Sequence, residues 1–241
     1  MKKTIIGIMP RACEIENKPQ LYINDTIRRL IIKNDCYPLF IMPPQDVSYF
    51  TTEGEDIKPI TVEETKFLFK QINMCDGLLM PGGGRQFEFD RLGYKYALSK
   101  DIPILGICMG MQVMCNVDNS SSTYYDVPIR NESHINHRQI DIPDVHKISI
   151  NRDSKLYDIV GRETLTVNSL HNYHIERVTN LKVSARSEDG YIEAVEMPGK
   201  NFVIGVQWHP EILAFNDPIN NKIITSFIKS AKEVKYEEKA R

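Results

Sequence analysis

Residues 103–112 read Pro103-Ile104-Leu105-Gly106-Ile107-Cys108-Met109-Gly110-Met111-Gln112. Residues 103–107 form a short apolar run fit for a buried strand, and residues 109–117 carry a helical pattern. Between them, Gly106-Ile107-Cys108-Met109-Gly110 is a glycine–x–nucleophile–x–glycine turn with cysteine at the reactive position. A strand that runs straight into a helix needs close backbone packing on both sides of the turn, and the two glycines permit it. Such a turn lifts the Cys108 side chain to the carboxyl edge of a sheet. Cys108 also precedes a helix, whose N-terminal dipole favours an anion. The backbone N–H of Met109 is a natural donor to a developing oxyanion.

The same strand–helix alternation extends upstream. Residues 4–9 read as a strand ending at Pro10, and residues 21–33 as a helix with Ile23, Ile27, Leu30 and Ile31 at helical spacing. Residues 39–42 read as a second strand closed by Pro43 and Pro44. Thr61-Val62-Glu63-Glu64 fits a capping box that opens a helix through Phe67, Leu68 and Ile72. Residues 77–80 read as a third strand and 87–99 as a helix. Continuous apolar strands alternating with helices predict a parallel sheet covered on both faces.

Downstream the character changes. Residues 145–150, 165–167, 181–187, 191–196 and 202–207 are strand-like, with turns such as Asp189-Gly190 and Pro198-Gly199 between them. Residues 218–234 read as a closing helix and the charged residues 235–241 as a frayed tail. The polar stretch 118–125 reads as a loop. The fold class expected is α/β, with a β-rich second half and residues 1–241 in a single domain, because no linker divides the halves.

Composition limits the partners. Lys and Arg number 30 and Asp and Glu 32, a near-neutral balance in 241 residues. That argues against a chain devoted to coating nucleic acid or an anionic membrane, and fits a small-molecule partner. No apolar run approaches the roughly 18 residues of a membrane span. Cys13, Cys36, Cys75, Cys108 and Cys115 are odd in number, in a chain too large to need disulfide staples. A cytoplasmic protein is expected, with Cys108 reactive and the other four structural.

A nucleophilic cysteine needs a base, and the base needs an orienting acceptor. Gly205-Val206-Gln207-Trp208-His209-Pro210-Glu211 follows the last strand. Proline after His209 favours extended geometry there, and residues i and i+2 of an extended segment project to one side. Glu211 is therefore expected on one ring nitrogen of His209, with the other facing the thiol. Pro81-Gly82-Gly83-Gly84 ends the neighbouring strand at the same edge, where glycine N–H groups approach an oxyanion closely. His134 and His137, with His146 further on, find no carboxylate in sequence to complete a metal set, and none is expected.

Together these three motifs resemble the class I glutamine amidotransferase-like superfamily. Val167-Asn168-Ser169-Leu170-His171, Asp189-Gly190-Tyr191-Ile192-Glu193-Ala194 and the Trp208 form of the histidine motif resemble its gamma-glutamyl-gamma-aminobutyrate hydrolase branch. The resemblance covers essentially the whole chain. It implies a flavodoxin-like three-layer α/β/α sandwich with a mostly parallel sheet and a Cys108–His209–Glu211 triad. It implies an oxyanion site from Gly82, Gly83, Gly84 and Met109. Gln112, Asn168, Ser169 and His171 would line the substrate pocket, His171 being equally open to a structural role. The implied reaction cleaves a gamma-glutamyl amide through a glutamyl thioester, without a cofactor. A homodimer is left open. So are the alternatives of a glutaminase subunit feeding ammonia to a separate synthase, or a non-catalytic binding relative.

The chain departs from the branch at several positions. Met109 replaces an arginine, Ser120-Ser121-Ser122 replaces a glycine pair, and His171-Asn172-Tyr173 replaces His-His-Gln. The segment from Gly84 to Cys108 is shorter, nearer to the spacing of amidotransferases proper. These differences leave the amine portion of the substrate open.

Overall fold

A computed structural model describes residues 3–45, 59–119 and 128–240. The chain opens with β1 (Ile5–Ile8), the hairpin β2 (Arg11–Ile15) and β3 (Lys18–Tyr22), α1 (Asp25–Lys33), β4 (Tyr37–Phe40), α2 (Val62–Ile72) and β5 (Gly77–Met80). It continues through α3 (Glu88–Ser99), β6 (Ile104–Ile107), α4 (Met109–Asp118), β7 (Pro128–Arg130), β8 (His146–Ile150) and α5 (Lys155–Val160). β9 (Thr164–Val167), β10 (Tyr173–Ile175), β11 (Lys182–Ser187), β12 (Ile192–Glu196), β13 (Val203–Val206), α6 (Pro210–Leu213) and α7 (Pro218–Ala240) complete it.

Among the described residues, nine strands form one sheet in the order β4-β1-β5-β6-β13-β12-β11-β8-β9. The first five are parallel, and from β13 onward the neighbours are antiparallel. The β-rich second half thus extends the sheet that the first half begins. Side chains alternate between two cores. Leu79, Leu105, Ile107 and Val206 pack with α1, α5 and α7 on one face. Leu78, Met80 and Ile104 pack with α2, α3 and α4 on the other. This is the three-layer α/β/α sandwich that uninterrupted apolar strands require. Pro38 is accommodated because β4 lies at the sheet's edge.

Most expected elements appear within a residue or two, including the Thr61–Glu64 capping box with both of its hydrogen bonds. Three differ. Leu21 and Tyr22 belong to β3, paired with Ala12 and Arg11, and the helix expected from residue 21 starts at Asp25 after the Asn24 cap. Glu16 and Asn17 both have positive φ, 51° and 58°, the two-residue turn suited to a tight hairpin. The tail expected to fray continues as helix through Ala240. Of the loop expected over 118–125, Asp118 closes α4, while residues 120–127, including Ser120–Ser122, lie outside the described residues. No helix among the described residues is long and apolar enough to cross a membrane.

Candidate active site

β6 hands directly to α4 through Cys108, whose φ of 51° and ψ of −108° are unusual for a side-chain-bearing residue. The strain is held by packing at both flanking glycines. A Cβ on Gly110 would lie 2.0 Å from the Met80 carbonyl oxygen, and one on Gly106 would lie 2.6 Å from Met114 Sδ. α4 is therefore pressed against the ends of β5 and β6, and the Met109 N–H is among the first helical donors, which lack intrahelical acceptors.

The next strand in the sheet, β13, delivers the histidine. After Val206 the chain is pinned twice. The buried indole N–H of Trp208 donates to Asn220 Oδ1 of α7 at 3.0 Å. Asn168 clamps the His209 backbone, its Oδ1 accepting from His209 N at 2.9 Å and its Nδ2 donating to His209 O at 3.1 Å. His209 Nδ1 lies 2.7 Å from Glu211 Oε1, and its Nε2 edge stands beside Cys108, both within 3.2 Å of where a Cβ on Gly82 would lie. Burial works against a charged ring. The Glu211 carboxylate and the Cys108 sulfur outweigh it and hold the His209 pKa well above the ordinary imidazole range. The expected extended route from His209 to Glu211 is corrected. His209 caps α6, and Glu211 is reached within its first turn.

The glycine loop after β5 closes the site, and its members differ. A Cβ on Gly82 would lie 2.5 Å from His209 Cε1 and 3.2 Å from Cys108 Cβ, so the loop lies directly on the candidate dyad. One on Gly83 would meet Arg11 Cδ at 2.6 Å, and one on Gly84 would meet nothing within 4 Å among the described residues.

Two clefts flank Cys108 and share Gly84. The larger, about 310 Å³, has Arg11, Tyr22, Gly82–Gly84, Cys108, Leu170 and His209 in its lining. That is room for a small molecule. The smaller includes Met109, Gln112, Gln86 and Tyr173. Gln112 is braced there, its Nε2 donating to Tyr173 O and Gln207 Oε1, each at 3.2 Å.

Sequence reasoning missed Arg11. Its Nε donates to Pro81 O at 3.0 Å, its Nη1 pairs with Asp90 at 2.8 Å, and its buried Nη2 has no hydrogen-bond partner among the described residues. Only the β2–β3 hairpin brings it to the loop, and no nearby motif signals that. Burial raises the Asp90 pKa more than Arg11 and the Phe87 N–H lower it.

The remaining expected pocket residues are placed differently. Asn168 stands behind His209 and lines a neighbouring groove. Ser169 is fully buried and donates to His137 O at 2.7 Å. His171 is buried beside His137 and Glu193. Neither lines a cleft at Cys108. The expectation that no carboxylate would join the histidines is also corrected, because β12 brings Glu193 to His137 and His146.

The profile of the family described as Peptidase C26 matches residues 88–211, just over half of the chain. A glutamine amidotransferase-like protein of Rickettsia prowazekii (strain Madrid E) is 31% identical over 68% of this chain and 79% of its own length. The CTP synthase of Porphyromonas gingivalis (strain W83) is 29% identical over 80% of this chain, but the match spans only 40% of that enzyme. Among solved structures, the glutaminase domain of Trypanosoma brucei CTPS with bound acivicin superposes with a TM-score of 0.64 at 19% identity. It covers 96% of this chain and 94% of that one. At that identity the likeness is one of fold.

Proposed function

This chain belongs to the Peptidase C26 family, among the class I glutamine amidotransferase-like proteins, and from that premise we propose that it hydrolyses the gamma-glutamyl amide bond of a small molecule. One observation carries the reading. A cysteine held at a strained strand–helix elbow stands beside a histidine, a Cβ on Gly82 lying 3.2 Å from both Cys108 Cβ and His209 Nε2, and that histidine's other nitrogen is 2.7 Å from a buried carboxylate.

In this reading the Cys108 thiolate attacks the side-chain carbonyl carbon. The carbonyl oxygen takes the negative charge, and the N–H groups of Met109 and of the Gly82–Gly84 loop donate to it. As the tetrahedral intermediate collapses, the C–N bond breaks and the His209 imidazolium protonates the departing amine. A glutamyl thioester remains on Cys108. His209, now neutral, removes a proton from water as it attacks the thioester. Glutamate leaves, and the thiolate–imidazolium pair is restored. Glu211 holds the ring and its charge throughout. The gamma-glutamyl group lies on the Gln112 side. The amine occupies the larger cleft, where Tyr22 and Arg11 set its size and polarity.

The test is a panel of gamma-glutamyl amines, with glutamine included, followed by glutamate release. The wild type is expected to turn over at least one member, Cys108→Ala none, and an acyl adduct on Cys108 should be visible by mass. Equal silence of both proteins across the panel sinks the reading. The match to CTP synthase favours a second one, in which the chain supplies ammonia to a synthase. Glutamine turnover that appears only when a synthase co-purifies would select it.

A further inference from the structure

Away from Cys108, the fully buried Glu193 of β12 points an oxygen at three imidazoles. Its Oε1 lies 3.1 Å from His146 Nε2, 3.6 Å from His171 Nε2 and 3.7 Å from His137 Nδ1. The neighbours of two of these rings assign their protons. His171 Nδ1 is 2.9 Å from the Tyr173 carbonyl, which only accepts, so Nδ1 carries the proton and Nε2 of the neutral ring is a lone pair. His137 Nε2 is 2.7 Å from Asp189 Oδ2, so Nε2 carries the proton and Nδ1 is a lone pair. In their neutral forms both rings therefore turn a lone pair toward a carboxylate oxygen in a water-poor interior. Among the described residues, His171 Nε2, His146 Nδ1 and Glu193 Oε2 have no hydrogen-bond partner. Negative ends that converge on one buried point are costly unless a cation joins them.

The spacing suits an ion. Four ligands at 2.0–2.1 Å around a tetrahedral metal are separated from one another by about 3.3–3.4 Å. The three oxygen–nitrogen separations bracket that length. One ligand atom each from His137, His146 and Glu193 lies within 4.8 Å of the others.

We propose that His137, His146 and Glu193 form a structural site for a divalent transition-metal cation of the zinc type, with the fourth position open on the side of His171. Imidazole-rich ligation disfavours magnesium and calcium, which take oxygen sets. The outer contacts fit as well. Asp189 receives the second N–H of His137, the usual means of fixing a ligating ring. The site lies behind the cleft wall. The His137 carbonyl accepts from Ser169 Oγ and from His171 N, while Asn168 holds His209 and Leu170 lines the larger cleft. An ion there pins the segment from which that wall is built.

The experiment uses the full chain carrying Cys108→Ala, so that the elbow thiol cannot take metal. The protein is stripped with a chelator and titrated with Zn(II) alone, then with Co(II). One equivalent is expected, together with a higher melting temperature. The Co(II) adduct should show the visible bands of a four-coordinate ion and no thiolate charge-transfer band. Asp189→Asn should weaken Zn(II) binding roughly 10–100-fold, and Glu193→Gln should abolish it. Folded Cys108→Ala that binds no equivalent overturns the proposal. So does a thiolate band, or binding undiminished in both variants. Should Glu193→Gln fail to fold, the Co(II) spectrum and Asp189→Asn decide.

Discussion

His209 Nδ1 lies 2.7 Å from Glu211 Oε1, and the pair is joined by the first turn of a four-residue helix rather than by a strand. Glu211 thereby reaches the ring edge opposite Cys108. Its charge is a main reason that His209 stays protonated in spite of burial.

Glu211→Gln should lower kcat/KM by roughly 10³–10⁴-fold, by analogy with other triads that lose their acid. It should also move the alkaline limb of the pH profile to lower pH. The sign follows from the His209 pKa, which is raised in the folded protein. Stability from this pair is full below the unfolded imidazole value near 6.5, and is lost as pH rises through the folded value. Urea melts of wild type across pH 6–10 should weaken accordingly, and Glu211→Gln should flatten that dependence. A profile whose alkaline limb does not move would remove Glu211 from this role.

Gly82→Ala should cut activity by about 100-fold or more while the protein stays folded. Its Cβ would stand 2.5 Å from His209 Cε1, and displacing a catalytic group by about 1 Å has that scale of cost. Gly84→Ala meets open space and should leave the melting temperature unchanged. Circular dichroism, and the rate of Cys108 alkylation in each variant, check both statements.

Asn168→Ala separates positioning from substrate binding. Its two hydrogen bonds go to the His209 backbone. kcat should therefore fall roughly tenfold while KM stays within about twofold. A large rise in KM with kcat intact would return Asn168 to the substrate pocket.

Arg11→Met alone strands the fully buried Asp90 carboxylate. Denaturant titration should register a loss of about 3–5 kcal/mol. Adding Asp90→Leu should recover part of it, less the hydrogen bond that Asp90 accepts from the Phe87 N–H. A double variant no more stable than Arg11→Met would contradict this account.

Much of the fold was legible because its signals are local. Residues 77–80 and 103–107 are apolar without interruption, which only a strand buried on both faces requires. The Thr61 box and the Gly106–Gly110 elbow carry their geometry within a few residues. The β2–β3 hairpin was missed because its turn, Glu16-Asn17, lacks the usual glycine, and because Ile23, at helical spacing from Ile27, draws the expected helix back toward β3.

The sequence by itself determined the sheet's parallel half, the elbow at Cys108 and the pairing of His209 with Glu211, since each depends on residues close along the chain. Only the tertiary structure decided what stands around them. Arg11 reaches Pro81 and Asp90 across 70 and 79 residues, and His146 meets Glu193 across 47. Contacts of that range follow from strand order and side-chain direction, which no local pattern encodes. Ser169 and His171, two residues apart in a motif that suggested a pocket, are turned instead toward the buried histidines by the pairing of residues 137–139 with 169–171.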